Sequence, residues 1–193
     1  MSETSESAPS RWMIYLSILI LGPLTYLAHE FGHWAAGEAI GVEMWMSLNK
    51  AGPVDAYSTQ LQQIIVALAG PAVTIALAIV ATFFLKGPFR YAAYGIVFFQ
   101  FMLRFVAGGV TMMSNHPNDE AAAGILLGVG PYVITFAVAA FLFFLTWRAA
   151  RIVRPGWLHN VGAYILTSAV ITVFVFSDQF LRNSDFILLG SRG

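Results

Sequence analysis

The sequence predicts an all-α integral membrane protein with about five transmembrane helices and a short hairpin or loop after the first. Hydrophobic residues make up 58% of the 193 positions and charged residues only 10%, whereas a soluble domain carries about 25% charged residues. Several apolar runs reach the roughly 20 residues that a membrane-spanning helix needs. A formal net charge of zero leaves no basic surface for nucleic acid, and the absence of cysteine excludes disulfides and thiolate metal sites.

The apolar runs divide the chain into two tails and a membrane-embedded core. Residues 1–11 are polar, acidic and rich in serine, which predicts a disordered N-terminal tail, since a cleavable signal would begin with basic residues. The core is predicted over residues 12–182, and a short C-terminal tail over residues 183–193. The predicted spans are residues 12–40, 61–85, 91–113, 121–147 and 157–180.

Residues 41–59, between the first two predicted spans, are mixed in polarity. Val42, Met44, Met46 and Leu48 alternate with other residues, as the residues of a short strand do. We therefore expect a hairpin or loop that lies on the membrane surface or dips into it. An extended segment there can pair with an extended substrate by strand addition, and an ordinary connecting loop is the equal alternative.

The first predicted span contains Ala28-His29-Glu30-Phe31-Gly32-His33-Trp34, which includes the pattern His-Glu-x-x-His. Positions i and i+4 lie on one face of a helix, so His29 and His33 can bind one metal ion together. Glu30 lies about 100° round the helix from His29, where it can reach a water on that metal. Zinc suits such a site because it accepts nitrogen ligands in a tetrahedral shell. Ionisable groups inside a span are costly and usually functional, which favours a metal site over packed core histidines.

Two further polar features lie near the end of the third predicted span. Arg104 lies inside that span, where an unpaired charge is expensive, and its nearest candidate partners are the acids of the loop that follows. Snorkelling to the interface is the alternative for this side chain. The loop, residues 114–120, is the most polar stretch between spans. With five spans, it lies on the same side of the membrane as the end of the first span, so the histidines and the acids can meet.

The basic residues are unevenly divided between the two sides of the membrane. Arg11 and the loops at residues 86–90 and 148–154 carry most of the lysines and arginines outside the predicted spans. We expect a multi-pass protein of the cell (inner) membrane, and the positive-inside rule predicts that its N-terminus lies in the cytoplasm. The histidines then lie nearer the opposite face.

These residues resemble the motifs of the site-2 protease family of intramembrane zinc metalloproteases. His29-Glu30-Phe31-Gly32-His33 is similar to the zinc helix of that family, and residues 41–48 resemble its membrane-associated strand region. Leu68-Ala69-Gly70-Pro71 resembles the family's Ala-Gly-Pro element one span later. Asn115-x-Pro117-x-Asp119 is the nearest match to a third element, in which a zinc-binding aspartate is followed by glycine. Glu120 stands at that glycine position here.

The resemblance implies a function and a set of site residues. The implied function is zinc-dependent hydrolysis of peptide bonds in or near the transmembrane segment of a protein substrate, within the lipid bilayer. The implied site residues are the zinc ligands His29, His33 and Asp119, the general base Glu30, and Asn115, which would hydrogen-bond the substrate backbone or the developing oxyanion.

Alternatives remain for the third ligand and for the function. Glu120 and His116 lie within a few residues of Asp119 and are rival ligands. The same ligands would serve a zinc hydrolase of small membrane substrates, such as a lipid or a short peptide. A non-catalytic membrane binding protein of the same fold is a second alternative. A transporter with broken helices would explain the Gly-Pro pairs, but the sequence has no clear internal repeat.

Overall fold

The computed structural model describes residues 10–114, 116–183 and 186–191. The helices are α1 (Met13–Ala39), α2 (Gln60–Thr82), α3 (Arg90–Ser114), α4 (Asp119–Leu126), α5 (Val133–Val153) and α6 (Trp157–Arg182). The strands are β1 (Met44–Met46) and β2 (Ala51–Pro53). Every helix except α4 is long and apolar enough to cross a membrane. The predicted fold class, an all-α membrane protein with about five spans, is confirmed.

The fourth span begins later than the sequence predicted. Residues 121–126 belong to the short helix α4, and a turn separates α4 from α5. Gly128 and Gly130 adopt φ of 75° and 85° in this turn, a left-handed conformation that favours glycine. Pro131 follows, and it has no amide hydrogen with which to continue a helix. The fourth span, predicted over residues 121–147 with glycines that allow a bend, is therefore divided into two helices at those glycines, and the break leaves Asp119 at the head of the first.

Helix α3 lies at the centre of the bundle, where it contacts α1, α2, α5 and α6. Glycine allows the close approach of α1 to α3 at two places. A Cβ on Gly22 would lie 2.7 Å from the Phe99 ring, and a Cβ on Gly95 would overlap the Ser17 hydroxyl. Because α1 is pressed against α3, the face of α1 that carries the histidines lies inside the bundle.

The segment after α1 forms the predicted hairpin. Strands β1 and β2 pair antiparallel, with Trp45 opposite Gly52. The side chain of Met44 contacts Gly37 of α1, where any added Cβ would overlap the methionine. The Met44 amide donates to Glu38 Oε1 at 2.8 Å. These contacts hold the hairpin directly under the C-terminal end of α1.

The outer edge of β1 is covered by residues 186–191, which belong to the predicted C-terminal tail. The Met46 amide donates to the Leu189 carbonyl at 2.9 Å, and the Leu188 amide donates to the Met46 carbonyl at 2.8 Å. This part of the tail therefore extends the small sheet. Residues 1–9 of the predicted N-terminal tail lie outside the described residues.

Candidate metal centre

The two histidines of the His-Glu-x-x-His pattern face each other on α1. Both side chains are buried, and their ring centroids lie 4.7 Å apart. The Nε2 atoms of His29 and His33 are separated by 3.1 Å. The i, i+4 spacing therefore places two imidazole nitrogens where one cation can contact both.

The carboxylate of Asp119 completes a group of three. Its Oδ2 lies 3.1 Å from His29 Nε2 and 3.5 Å from His33 Nε2. The side chain of Asn118 caps α4 by accepting a hydrogen bond from the Ala121 amide at 2.9 Å. This cap fixes the position of the first residue of the helix, which is Asp119.

The two rival third ligands lie elsewhere. Glu120 is buried, and its carboxylate faces Arg104. His116 is exposed, and its Nδ1 donates to the Ser114 carbonyl at 2.9 Å. Of these candidates, only Asp119 has an oxygen or nitrogen that shares a potential metal position with both histidines in the described part of the chain.

The outer nitrogen of each imidazole is held by α2. His33 Nδ1 lies 2.6 Å from the Val66 carbonyl, which can only accept, so this nitrogen carries the proton. His29 Nδ1 lies 2.9 Å from Thr74 Oγ1. Partners of this kind fix the orientation of metal-binding histidines, and the carbonyl partner leaves Nε2 of His33 with a free lone pair.

The spacing of the three inner atoms fits a tetrahedral zinc ion. Ligand atoms about 2.0–2.1 Å from zinc are roughly 3.3 Å from each other in a tetrahedral shell. The three observed separations are 3.1, 3.1 and 3.5 Å. When both imidazoles carry their protons on the outer Nδ1 atoms, the three inner atoms are all acceptors, and such a group is stable with a cation between its members.

Gly70 of α2 provides the space for this arrangement, a role that the sequence alone did not predict. A Cβ on Gly70 would overlap His33 Nε2 and would lie 2.6 Å from His29 Cε1. Val66, Gly70 and Thr74 are spaced four residues apart, so they share one face of α2. That spacing is a signal in the sequence, but its meaning depends on which helix faces it.

Arg104 connects the metal ligands to a second acid. Its Nη1 lies 2.9 Å from Asp119 Oδ2 and 3.4 Å from Glu120 Oε1. The predicted pairing of this arginine with the acids of the loop is therefore confirmed. Burial raises the pKa of Glu120, and the charge of Arg104 opposes that shift.

Glu30 lies at the border between the buried histidines and a polar pocket. The pocket has a volume of about 280 Å³ and lies between the hairpin, α2 and the start of α4. Its lining includes Glu30, His33, Asp119 and Asn49. The Glu30 carboxylate has no hydrogen-bond partner among the described residues, so its oxygens are available to a molecule in the pocket. The predicted substrate-binding residue Asn115 lies outside the described residues.

Replacement of Asp119 by asparagine is expected to weaken metal binding by more than about 100-fold, because loss of even an outer partner of a ligand costs up to that factor. Zinc affinity of the purified protein, measured by competition with a chelating dye, tests this expectation. His116→Ala is the control, since His116 is exposed and bonded to Ser114. Full zinc affinity in Asp119→Asn, together with its loss in His116→Ala, would assign the third ligand to His116.

Replacement of Arg104 by methionine is expected to weaken metal binding by about 10- to 100-fold, because Asp119 loses a partner that orients it. It is also expected to destabilise the protein by about 3–5 kcal/mol, since the buried Glu120 is left unpaired. Zinc affinity and thermal unfolding in detergent measure the two effects. Arg148→Met, at an exposed position of α5, is the matched control. Unchanged zinc affinity in Arg104→Met would show that Asp119 needs no such support.

Comparison with protein-family models, with curated proteins and with solved structures finds no match to this chain. Support for a function therefore comes from the chemistry of the site and not from a related fold.

Proposed function

We propose that this protein is an intramembrane zinc metalloprotease that hydrolyses peptide bonds in or near transmembrane segments of membrane proteins. The observation that carries the proposal is the meeting of His29, His33 and Asp119, with Glu30 beside them at a polar pocket. Three protein ligands with one position left open are typical of catalytic zinc sites, whereas structural sites are closed by four. The two histidines belong to a helix that is long and apolar enough to cross the membrane.

The donor set and its surroundings support zinc as the metal. His29, His33 and Asp119 would hold it through the two Nε2 atoms and Oδ2. When bound, zinc supplies a Lewis acid that lowers the pKa of water and polarises a carbonyl group. Val66 keeps the imidazole of His33 in the tautomer that leaves Nε2 free for the metal, and Thr74 holds the ring of His29 in place.

Glu30 is the general base in this proposal. Its carboxylate takes a proton from the attacking water and delivers it to the amine that leaves when the peptide bond breaks. Its neighbour in the pocket, Asp119, is committed to the imidazoles and Arg104. The division of roles between the two acids therefore follows from their contacts.

The dimensions of the pocket favour an unwound substrate. A pocket of about 280 Å³ admits a short extended stretch of chain but not a helix, which is about 10 Å wide with its side chains. A helical peptide bond is also shielded by its own hydrogen bonds. We therefore expect cleavage near residues that break a helix, such as glycine and proline.

A second cavity bears on the alternative of a zinc hydrolase of small lipid-like substrates. An apolar groove of about 910 Å³ runs between α3, α5 and α6 and touches Arg104. Its lining includes none of His29, His33, Glu30 and Asp119. A lipid in this groove would not contact the general base, so the groove does not favour lipid hydrolysis.

The location that we propose is the cell (inner) membrane, with the N-terminus in the cytoplasm. One end of the five long helices carries Arg11, the basic residues at 86–90 and the basic residues at 148–154, which the structure places in the last turns of α5 and its C-cap and not in a loop. The hairpin and α4 lie at the other end, so the positive-inside rule directs the pocket away from the cytoplasm.

The test combines metal analysis with hydrolysis by the purified protein. We expect one zinc per chain by elemental mass spectrometry, and loss of activity on chelation that added zinc restores. The substrates are lysine-flanked Leu-Ala transmembrane peptides that vary at four residues around a central Gly-Pro pair. In ¹⁸O-labelled water, hydrolysis places the label in the new carboxyl group. Absence of stoichiometric metal would overturn the proposal, and so would metal-loaded protein that cleaves no member of the library.

A further inference from the structure

We propose that Asn49, at the tip of the hairpin, is a substrate-binding residue whose side-chain amide donates a hydrogen bond to a backbone carbonyl of the peptide. The inference rests on the proposed protease function and extends it to a residue outside the metal centre. Asn49 lines the polar pocket together with Glu30, His33 and Asp119. A peptide that reaches Glu30 in this pocket can therefore also contact Asn49.

The side-chain oxygen of Asn49 is already used. The Tyr26 hydroxyl, on α1 one turn before Glu30, donates to Asn49 Oδ1. This bond fixes the orientation of the amide, because an asparagine side chain has one acceptor end and one donor end. The NH₂ group has no partner among the described residues and remains available to an acceptor in the pocket.

The backbone of Asn49 is held by a buried acid. Its amide donates to Asp178 Oδ1 at 3.1 Å, and the second carboxylate oxygen of Asp178 accepts from Arg182 Nε at 2.5 Å. Asp178 is fully buried near the end of α6. An acid buried in a helix long and apolar enough to cross a membrane is costly and points to a function. Here the burial serves to fix the hairpin tip.

The hairpin tip is also closed internally. The Ser47 amide and the Ser47 hydroxyl both bond the Lys50 carbonyl, at 2.8 and 3.1 Å. The hairpin tip is thus closed by its own hydrogen bonds and bonded to α1 and α6. These contacts hold Asn49 in one orientation, as a preorganised donor requires. A carbonyl oxygen is the natural partner of such a donor, because an NH₂ group carries no charge and cannot accept.

The experiment separates substrate binding from catalysis. The Glu30→Gln variant serves as an inactive background, and the Kd of peptides from the Gly-Pro library is measured in detergent micelles. We expect Asn49→Ala to raise the Kd by about 10- to 100-fold, since a desolvated acceptor on the peptide is left unpaired. Asn49→Asp keeps the acceptor for Tyr26 but removes the NH₂ donors, so it should bind as weakly as Asn49→Ala. Zinc content should stay within error of the Glu30→Gln parent, whereas Asn49→Ala should lower the thermal stability, because the Tyr26 hydroxyl loses its acceptor.

The chain offers a matched control in a second tyrosine–asparagine pair. The Tyr94 hydroxyl donates to Asn160 Oδ1 at 2.7 Å, away from the polar pocket. Asn160→Ala should leave the Kd unchanged. If Asn160→Ala weakens binding as much as Asn49→Ala does, or if Asn49→Ala binds normally, the proposed role of Asn49 is wrong.

A positioning role for Asp178 has its own signature. Asp178→Ala, which removes the acceptor of the Asn49 amide, should weaken peptide binding when Asn49 is present and should have little further effect in Asn49→Ala, because both changes act through the same donor. Additive losses would contradict this coupling. Failure of the protease proposal looks different: the native protein then neither cleaves nor binds any peptide of the library, and both proposals fall together.

Discussion

Replacement of Glu30 by glutamine is expected to lower the rate of peptide hydrolysis by about 10²- to 10⁴-fold, the usual contribution of a general base. Glutamine has nearly the same shape but cannot take a proton from water. Since Glu30 is not among the three residues that converge on the metal position, the variant should keep one zinc per chain. The measurement is the single-turnover rate on a cleaved library peptide, with zinc content determined on the same sample.

Glu43→Gln is the matched control for this variant. Glu43 is exposed beside the hairpin, so the same chemical change there should leave the rate within about twofold. A Glu30→Gln variant that cleaves at the native rate would remove Glu30 as the base. Loss of zinc from the variant would instead place its carboxylate among the ligands.

Replacement of Gly70 by alanine is expected to abolish stoichiometric metal binding, although Gly70 itself contacts no metal. The added methyl group would overlap His33 Nε2 and press on His29 Cε1, beside the proposed metal position. Helix α2 also supplies the partners of both imidazoles, so it cannot withdraw without releasing them. Zinc content and peptide hydrolysis should be lost together.

Gly109→Ala is the matched control for this prediction. Gly109 also lies within a long apolar helix, and a Cβ there meets nothing within 4 Å. Alanine is a better helix former than glycine, so Gly109→Ala should keep its zinc and be at least as stable as the native protein. Normal zinc content in Gly70→Ala would show that the centre can expand and that the close approach of α2 is unimportant.

Much of the fold follows from the sequence because a bilayer leaves few options. Backbone groups in lipid have to be satisfied within the chain, so long apolar runs predict spanning helices with little ambiguity. The alternation at Val42, Met44 and Met46 predicted the hairpin for a similar local reason. These signals are local, and no knowledge of packing is needed to read them.

The fourth span shows where local signals fail. The run from Ala121 to Trp147 is apolar almost throughout, so hydrophobicity alone predicts one helix. The break depends on the backbone conformation at Gly128 and Gly130, which glycine permits but does not require. The same sequence of residues is compatible with a bent helix and with a turn.

Part of the candidate site also follows from local sequence signals, and the rest depends on how distant elements pack. The spacing of His29 and His33 is a local property of one helix, and their meeting in the structure follows directly from it. The choice of Asp119 over Glu120 and His116 depends on the helix cap at Asn118 and on the position of Arg104. The contact of Gly70 with the imidazoles depends on how α1 and α2 pack, and Asn49 enters the pocket through a bond to α6. Contacts between elements distant in the chain are not encoded in any single stretch.

The register of the hairpin limits what strand addition can contribute. Trp45 lies opposite Gly52, and the Ser47 amide bonds the Lys50 carbonyl, so the backbone groups of Ala51 and Pro53 point away from β1. Proline has no amide hydrogen, and the Pro53 carbonyl already accepts from the Trp45 indole at 3.1 Å.

Among the residues that the structure describes, the amide and the carbonyl of Ala51 are therefore the two backbone groups of β2 that an incoming strand could bond. Two backbone bonds contribute about 1 kcal/mol each, which on their own correspond to a Kd of roughly 30 mM. Such weak binding is sufficient for a partner that is confined to the same lipid bilayer, because its local concentration there is high. Under the proposed function, weak binding also allows the products of cleavage to dissociate rapidly.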